Sequence, residues 1–133
     1  MILSAKSGVD VRILTPHIPD KKIVFEITRG FYKQLVEAGV KIYEFTPGFN
    51  HTKNFVADDT LAIVGSANTD YRSYFLHYEN GCLMYKTSEI RKIKQNFLDA
   101  CEKSHLVTLD EIHKTNVIVR MIRAVLNLMI PLV

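Results

Sequence analysis

A chain of 133 residues can bury one hydrophobic core without disulfide or metal staples, so a single domain, 1–133, is the expected organisation. Seventeen Lys and Arg against fourteen Asp and Glu leave a net charge of +3, which favours an anionic partner without choosing between a phospholipid headgroup and a nucleic acid. Two cysteines, Cys82 and Cys101, form neither a disulfide framework nor a metal-ligand spacing; a reducing compartment is the simpler setting, with both thiols expected as buried small hydrophobes.

The opening ILSAKSG reads as the last turns of a helix stopped at Gly8, and the β-branched run VDVRIL, Val9 to Leu14, follows as a short strand. A chain that starts inside an element reads as a piece of something longer, and its first apolar run is too short for a signal peptide or an anchor. Two prolines in TPHIPD end the strand. Asp20 is then placed to cap a helix on which Ile23, Ile27, Phe31 and Leu35 recur every fourth residue until Gly39. VKIYEF is a strand again, and HTKNFVAD and TLAIVGS read as a hairpin joined at the Asp58-Asp59 corner. YENGCLMYK forms a further strand around Gly81. Ser88 to about Leu106 is helical, with Ile90, Ile93, Phe97 and Cys101 on one side.

Thr108 and Glu111 make a capping box for a final helix over about 108–132. Its apolar run NVIVRMIRAVLNLMIPLV is interrupted by Arg120 and Arg123 and lacks the roughly twenty apolar residues that a bilayer crossing needs. It fits either an interfacial helix with arginines at headgroup level or a helix packed on its own domain or on another, and packing is the commoner destination. The sum is an α/β fold, a mixed β-sheet flanked by helices, with no internal repeat.

Between the strands lies a polar constellation. His51 and Lys53 are two residues apart, so on a strand they share a face and reach one ligand. An ammonium that holds phosphoryl oxygens beside an imidazole that attacks phosphorus or moves a proton is the chemistry of phosphodiester transfer, with Ser66 and Asn68 as further donors and no metal or cofactor required. A lone H-x-K is usually surface decoration and a lone GSxN a turn. Their conjunction is different: H-x-K-x(4)-D arises by chance in roughly one chain in a hundred of this length, and GSxN at a fixed offset takes that below about one in a hundred thousand.

HTKNFVADDTLAIVGSANTDYRSYFLHYENG resembles the H-x-K-x(4)-D-x(6)-G-S-x-N signature of the phospholipase D superfamily, and its continuation is similar to that of bacterial cardiolipin synthases. The likeness reaches from GVDVRIL to the closing PLV and covers the C-terminal one of two fused copies, each giving one histidine motif to a shared site. What the resemblance implies is one half of a two-copy fold. By position, His51 becomes one of two paired histidines, Lys53 a phosphate-binding cation and Asp58 the motif aspartate, more structural than catalytic. Ser66 and Asn68 fall near the phosphate oxygens, and Glu79 matches a glutamate that orients a motif histidine; a carboxylate on one ring nitrogen would fix the tautomer. Arg72 is a weaker ligand candidate than these, His17 and His77 read as rim or packing residues, and His113 as a solvated helix residue. Tyr71, Tyr74, Phe75 and Tyr78 either line an acyl or headgroup path or, more ordinarily, pack against the sheet.

The implied activity is phosphatidyl transfer from phosphatidylglycerol to form cardiolipin through a phosphohistidine, at the cytoplasmic side of the membrane as a peripheral protein. With one motif present, a second phospholipase D-like half or a homodimer is needed. Two rivals remain at this point: a single-motif homodimeric nuclease, disfavoured because no strongly basic groove is evident, and a catalytically silent fragment.

Overall fold

A computed structural model describes residues 1–128. Helix α1 (Ile2–Lys6) ends at Gly8, whose φ of +89° is the left-handed conformation that favours glycine, as the opening heptapeptide predicts. Strand β1 (Arg12–Pro16) pairs in parallel with β2 (Lys41–Phe45), Ile13 opposite Ile42. A parallel pair needs a crossover, and the segment between supplies it.

That crossover is two helices, α2 (Lys22–Gly30) and α3 (Tyr32–Glu37), rather than one continuous helix to Gly39. The apolar period runs unbroken across Phe31, so periodicity alone gives no sign of the break. Asp20 does not cap: Lys21 is the N-cap, and no side chain satisfies the first turn. Tyr32, Val40, Ile42 and Val107 form the buried core here, with Leu35, Val36 and Ile13 packed around it.

The strands divide between two sheets. The first is mixed, because β6 (His105–Leu106) adds to β2 antiparallel; the sequence reading ran the preceding helix through this strand. The second is antiparallel, in the order β3 (Asn54–Ala57), β4 (Leu61–Gly65), β5 (Gly81–Tyr85). The predicted hairpin is present, and its corner holds Asp58 and Asp59 at φ +49° and +58°, values that aspartate tolerates better than most residues. Alternation sets the faces of this sheet. Val56, Ala62 and Met84 form one inward row, with Ala62 fully buried, while Phe55, Ile63 and Leu83 form the opposite row and stand exposed.

Helix α5 (Glu89–Glu102) packs against strands of both sheets and buries Ile90 and Cys101. Cys101 is thus the buried small hydrophobe expected; Cys82 is not, since the outer end of β5 leaves it exposed. A short helix, α4 (Tyr71–Phe75), sits in the β4–β5 connection, capped by Asp70 accepting from Ser73 N–H at 2.7 Å. Five residues carry too little period to reveal it in advance.

The Thr108/Glu111 capping box is formed, but it opens only α6 (Leu109–Lys114). Thr115 is extended, and Asn116 caps a separate helix, α7 (Val117–Asn127), by accepting from Ile118 N–H at 2.8 Å. The single helix expected over 108–132 is therefore two, and its last residues, 129–132, lie outside the described residues. Among the described residues no helix is long and apolar enough to cross a membrane.

Candidate functional site

Antiparallel pairing in the second sheet brings three chain segments to one end. Lys53 immediately precedes β3, Ser66 immediately follows β4, and Glu79 lies two residues before β5. Gly65 N–H donates to the Lys53 carbonyl at 3.1 Å, and Ser66 N–H to the Asn80 carbonyl at 2.9 Å, which locks the three segments together. Gly65 faces Gly81 across the ladder. Any side chain at Gly65 would collide with the Asn80 carbonyl oxygen, so glycine is what permits the close approach.

His51 and Lys53 do not lie on a strand, contrary to the expectation from HTKNFVAD; β3 begins only at Asn54. Asn50 explains the difference locally, because its side-chain oxygen accepts from both the N–H and the hydroxyl of Thr52, a turn that competes with extended pairing. Lys53 folds back instead, its Nζ donating to the His51 carbonyl at 2.8 Å. The His51 ring is exposed and stacks on Phe49, with centroids 5.6 Å apart and planes 16° apart. An ammonium is thus held against the main chain of the histidine, and the imidazole stands open to a ligand.

Around Ser66 the polar groups form a chain. Its Oγ donates to Glu79 Oε2 and accepts from Asn80 N–H at 3.0 Å. The Ser66 hydroxyl first, then Ser73 and His77, hold the Glu79 carboxyl below the usual carboxylate range. Arg72 Nε donates to His77 Nε2 at 2.8 Å, which leaves the proton of a neutral ring on Nδ1, 3.7 Å from Glu79 Oε1. Glu79 therefore bonds Ser66 and faces His77, and no hydrogen bond joins it to His51. Asn68 N–H donates to Ser73 Oγ, and the Asn68 side chain is exposed at the rim.

Asp58 is not brought to this end. It terminates β3 at the opposite edge, roughly 13 Å along the strand from Asn54 at the usual rise. The aromatic residues also depart from the packing expectation: Tyr74, Phe75 and Tyr78 are 61%, 70% and 108% exposed, and Tyr71 tilts against Phe75 rather than against the sheet. His113 is exposed on α6, as expected.

His17 has a partner that the sequence did not announce. Its Nδ1 lies 2.9 Å from Glu44 Oε2, and Arg29 donates to both oxygens of the same carboxylate at 2.9 and 2.7 Å. Burial drives the Glu44 carboxyl upward, but the hydrogen bonds from Arg29 and His17 outweigh it and hold Glu44 below its ordinary range. An alternating strand pattern, KIYEF, was the available signal: Glu44 falls on the same face as Ile42, where a carboxylate needs partners.

Among the described residues no group of three or more His, Cys, Asp and Glu side chains is gathered for a metal ion. A shallow depression lined by Val64, Asn80, Gly81 and Cys82 borders the sheet end.

Comparison with known proteins places this arrangement. The family described as "Cardiolipin synthase, PLD-like domain" matches residues 1–101. A protein of Streptococcus mutans serotype c is 44% identical over 129 residues, covering 97% of this chain and 28% of its own length. Cardiolipin synthase 2 of Bacillus anthracis is 41% identical over 130 residues, covering 98% of this chain and 25% of its own length. The chain thus spans about a quarter of the length of the curated relatives it matches. In fold it is similar to Nuc of Salmonella typhimurium, a phospholipase D family member, with a TM-score of 0.68 at 15% identity over 80% of this chain and 69% of that one.

Proposed function

Because this chain belongs to the cardiolipin synthase, phospholipase D-like domain family, we propose that it forms one half of a phosphatidyltransferase that makes cardiolipin from two phosphatidylglycerols. The observation that carries this reading is the convergence of His51, Lys53 and Ser66 at one solvent-open end of the second sheet, tied by the bond from Gly65 N–H to the Lys53 carbonyl.

The transfer proceeds in two in-line steps. One histidine of a pair attacks the phosphorus of phosphatidylglycerol; a P–N bond forms, the P–O bond to glycerol breaks, and the partner histidine gives its proton to the departing glycerol oxygen. That partner then takes the proton of a second phosphatidylglycerol hydroxyl, whose oxygen displaces the histidine from phosphorus. Lys53, Ser66 and Asn68 bind the phosphoryl oxygens as charge gathers on them. Glu79, kept ionised by Ser66, orients the donors at this end. Asp58 serves the fold by holding the hairpin corner.

Two imidazoles are needed and the chain carries one such motif, so a second phospholipase D-like half or a second copy completes the site. The exposed row Phe55, Ile63 and Leu83, on the sheet that carries the site, is the surface available to it.

The test is the solution mass of the chain measured beside its consumption of phosphatidylglycerol. A monomer is expected to be silent. A dimer, or a mixture with a second phospholipase D-like half, is expected to turn over substrate and to lose a hundredfold or more with His51→Ala. Equal turnover by wild type and His51→Ala sinks the assignment. Salt-sensitive DNA cleavage by a dimer that ignores the lipid replaces it with the nuclease reading.

A further inference from the structure

Helix α7 is amphipathic, but its apolar face is turned away from the domain. Of the packing expected for this helix, on its own domain or on another, the structure shows one face packed on α2 and leaves the apolar face uncovered. Val119, Arg123, Leu126 and Asn127 are the partly buried positions, spaced four, three and one apart as on one helical face. One polar contact and one close approach fix that face to α2: Arg123 Nε donates to Glu26 Oε2 at 2.8 Å, and Asn127 lies so close to Gly30 that a Cβ there would meet its amide at 2.9 Å. On the far side Ile118, Met121 and Val125 are 66%, 66% and 62% exposed, and with Ile122 and Leu126 they line a shallow apolar depression.

Glu26 with Arg123 and Gly30 with Asn127 advance together, so α2 and α7 run parallel. Lys21 and Lys22, at the start of α2, therefore lie at the end where α7 begins. Lys114 precedes that end in the chain, and Arg120 stands one turn inside it; all four are exposed. Asp20 lies beside Lys21, Asp110 and Glu111 lie about one turn before Lys114 on α6, and α7 has no acid from Val117 to Asn127.

We propose that α7 is a membrane-docking helix that lies flat on an anionic phospholipid surface, with Ile118, Met121 and Val125 in the acyl boundary and the Lys21, Lys22, Lys114 and Arg120 cluster at headgroup level. Eleven residues make a helix of about 16 Å, half of the roughly 30 Å hydrocarbon layer, so it rests on the bilayer and does not cross it. Charge separates the lipid from a second copy as occupant. Another α7 brings the same kind of cations and no acid of its own to meet them, whereas a headgroup layer meets them all. A second half seated on the Phe55, Ile63 and Leu83 row leaves α7 free, since α7 packs on α2 beside the first sheet. The docking does not depend on chemistry at His51, but it goes beyond the phosphatidyl-transfer reading by specifying how the protein meets its lipid.

The experiment is co-sedimentation of the whole 133-residue chain with vesicles of phosphatidylglycerol and phosphatidylcholine, and with vesicles of phosphatidylcholine alone. Wild type and His51→Ala are expected to bind anionic vesicles equally, less so in high salt. Met121→Glu/Val125→Glu is expected to lower binding at least tenfold while keeping the wild-type thermal midpoint, because both positions are already exposed. The sequence has no tryptophan, so Met121→Trp installs a single reporter, whose emission is expected to shift blue with vesicles and to be quenched by brominated acyl chains. Wild type that stays in the supernatant, or a double variant that binds as well as wild type, overturns the proposal. So does a wild-type dimer that the double variant splits without any vesicle binding, which assigns the face to a second copy.

Discussion

In the β1-β2-β6 sheet one face of the central strand is closed, with Ile42 and Glu44 1% and 2% exposed, and the other is partly covered, with Tyr43 and Phe45 half-buried and Lys41 exposed at its start. In the β3-β4-β5 sheet the second face is left open. Ala62 is fully buried on the first face, while Phe55, Ile63 and Leu83 on the second are 57%, 41% and 65% exposed. Each arrangement suits what its sheet holds. The closed sheet contains a carboxylate whose partners all come from this chain, whereas the open one presents His51, Lys53 and Ser66 at an end where a ligand and a second imidazole have room. A region can be stable with every bond made internally; the site proposed here cannot be made that way, since its bonds would belong to a substrate.

The largest effect is expected where the closed sheet is broken. Removing the Glu44 side chain leaves Arg29 and His17 without their anion, and because both are partly exposed the loss is expected at about 2–3 kcal/mol, below that of a fully buried pair stripped of one partner. Glu44→Ala is expected to lower the urea midpoint accordingly, and Glu44→Gln by less, since an amide oxygen still accepts one bond. The pH dependence has a definite sign. Glu44 is held below its unfolded value of about 4.5, so the native state gives up this proton more readily. Its contribution is complete above that value and is lost as pH falls through the folded pKa. Denaturation of wild type and Glu44→Gln at neutral pH and in acid is expected to show the gap narrowing in acid; a gap constant with pH would mean the ion pair contributes nothing.

Next in size is the seam where the open sheet meets the site. A Cβ at Gly65 collides with the Asn80 carbonyl and comes within 2.9 Å of Gly81 Cα, so Gly65→Ala must move main chain and is expected to cost about 1–3 kcal/mol. At Gly81 the nearest neighbour of an added Cβ is Ile63 Cγ2 at 3.6 Å, ordinary contact, and Gly81→Ala is expected to change stability by less than about 0.5 kcal/mol. The pair separates the two glycines that face each other in one ladder. Gly65→Ala also shifts Ser66 from Glu79, so activity of the completed enzyme falls with it while Gly81→Ala leaves activity near wild type. Thermal melts read beside turnover check both.

The contrast between the sheets also marks what could be read from the residues alone. The existence of the first five strands, the Asp58-Asp59 corner, the Gly8 stop and the Thr108/Glu111 box were legible because each depends on residues within a turn or two of one another, although β1 lies at Arg12–Pro16 rather than Val9 to Leu14 and β3 begins only at Asn54. The break at Phe31, the helix start after Lys21 and the short β6 were not, because the local apolar period runs through Phe31 without a sign of the break and β6 exists only by pairing with β2. The break at Thr115, by contrast, had a local sign in Asn116, which caps α7. At the site the spacing singled out His51, Lys53 and Ser66, which the second sheet brings to one end. Their local placement was less legible: Asn50 draws Thr52 into a turn, and Glu79 takes Ser66 as its partner across the sheet. The Glu44 cluster escaped notice since Arg29 and His17 are fifteen and twenty-seven residues away.

The smallest effect on the isolated chain is expected on the open face, and it sharpens the comparison most. Phe55 and Leu83 are already more than half in water, so Phe55→Ser/Leu83→Ser removes little buried area and is expected to leave the unfolding midpoint within about 0.5 kcal/mol of wild type. Association is another matter. These side chains flank Ile63 in one cross-strand row on the sheet that carries the site, and a second phospholipase D-like half that covers the row buries two aromatic or aliphatic anchors at its centre. The double variant is therefore expected to weaken that association about tenfold or more, seen by sedimentation, and to abolish turnover that depends on it. Unchanged association together with unchanged stability would mean that the second histidine approaches from the loop side, past Phe49 and the exposed His51 ring, and that the open face of the sheet is not its docking surface.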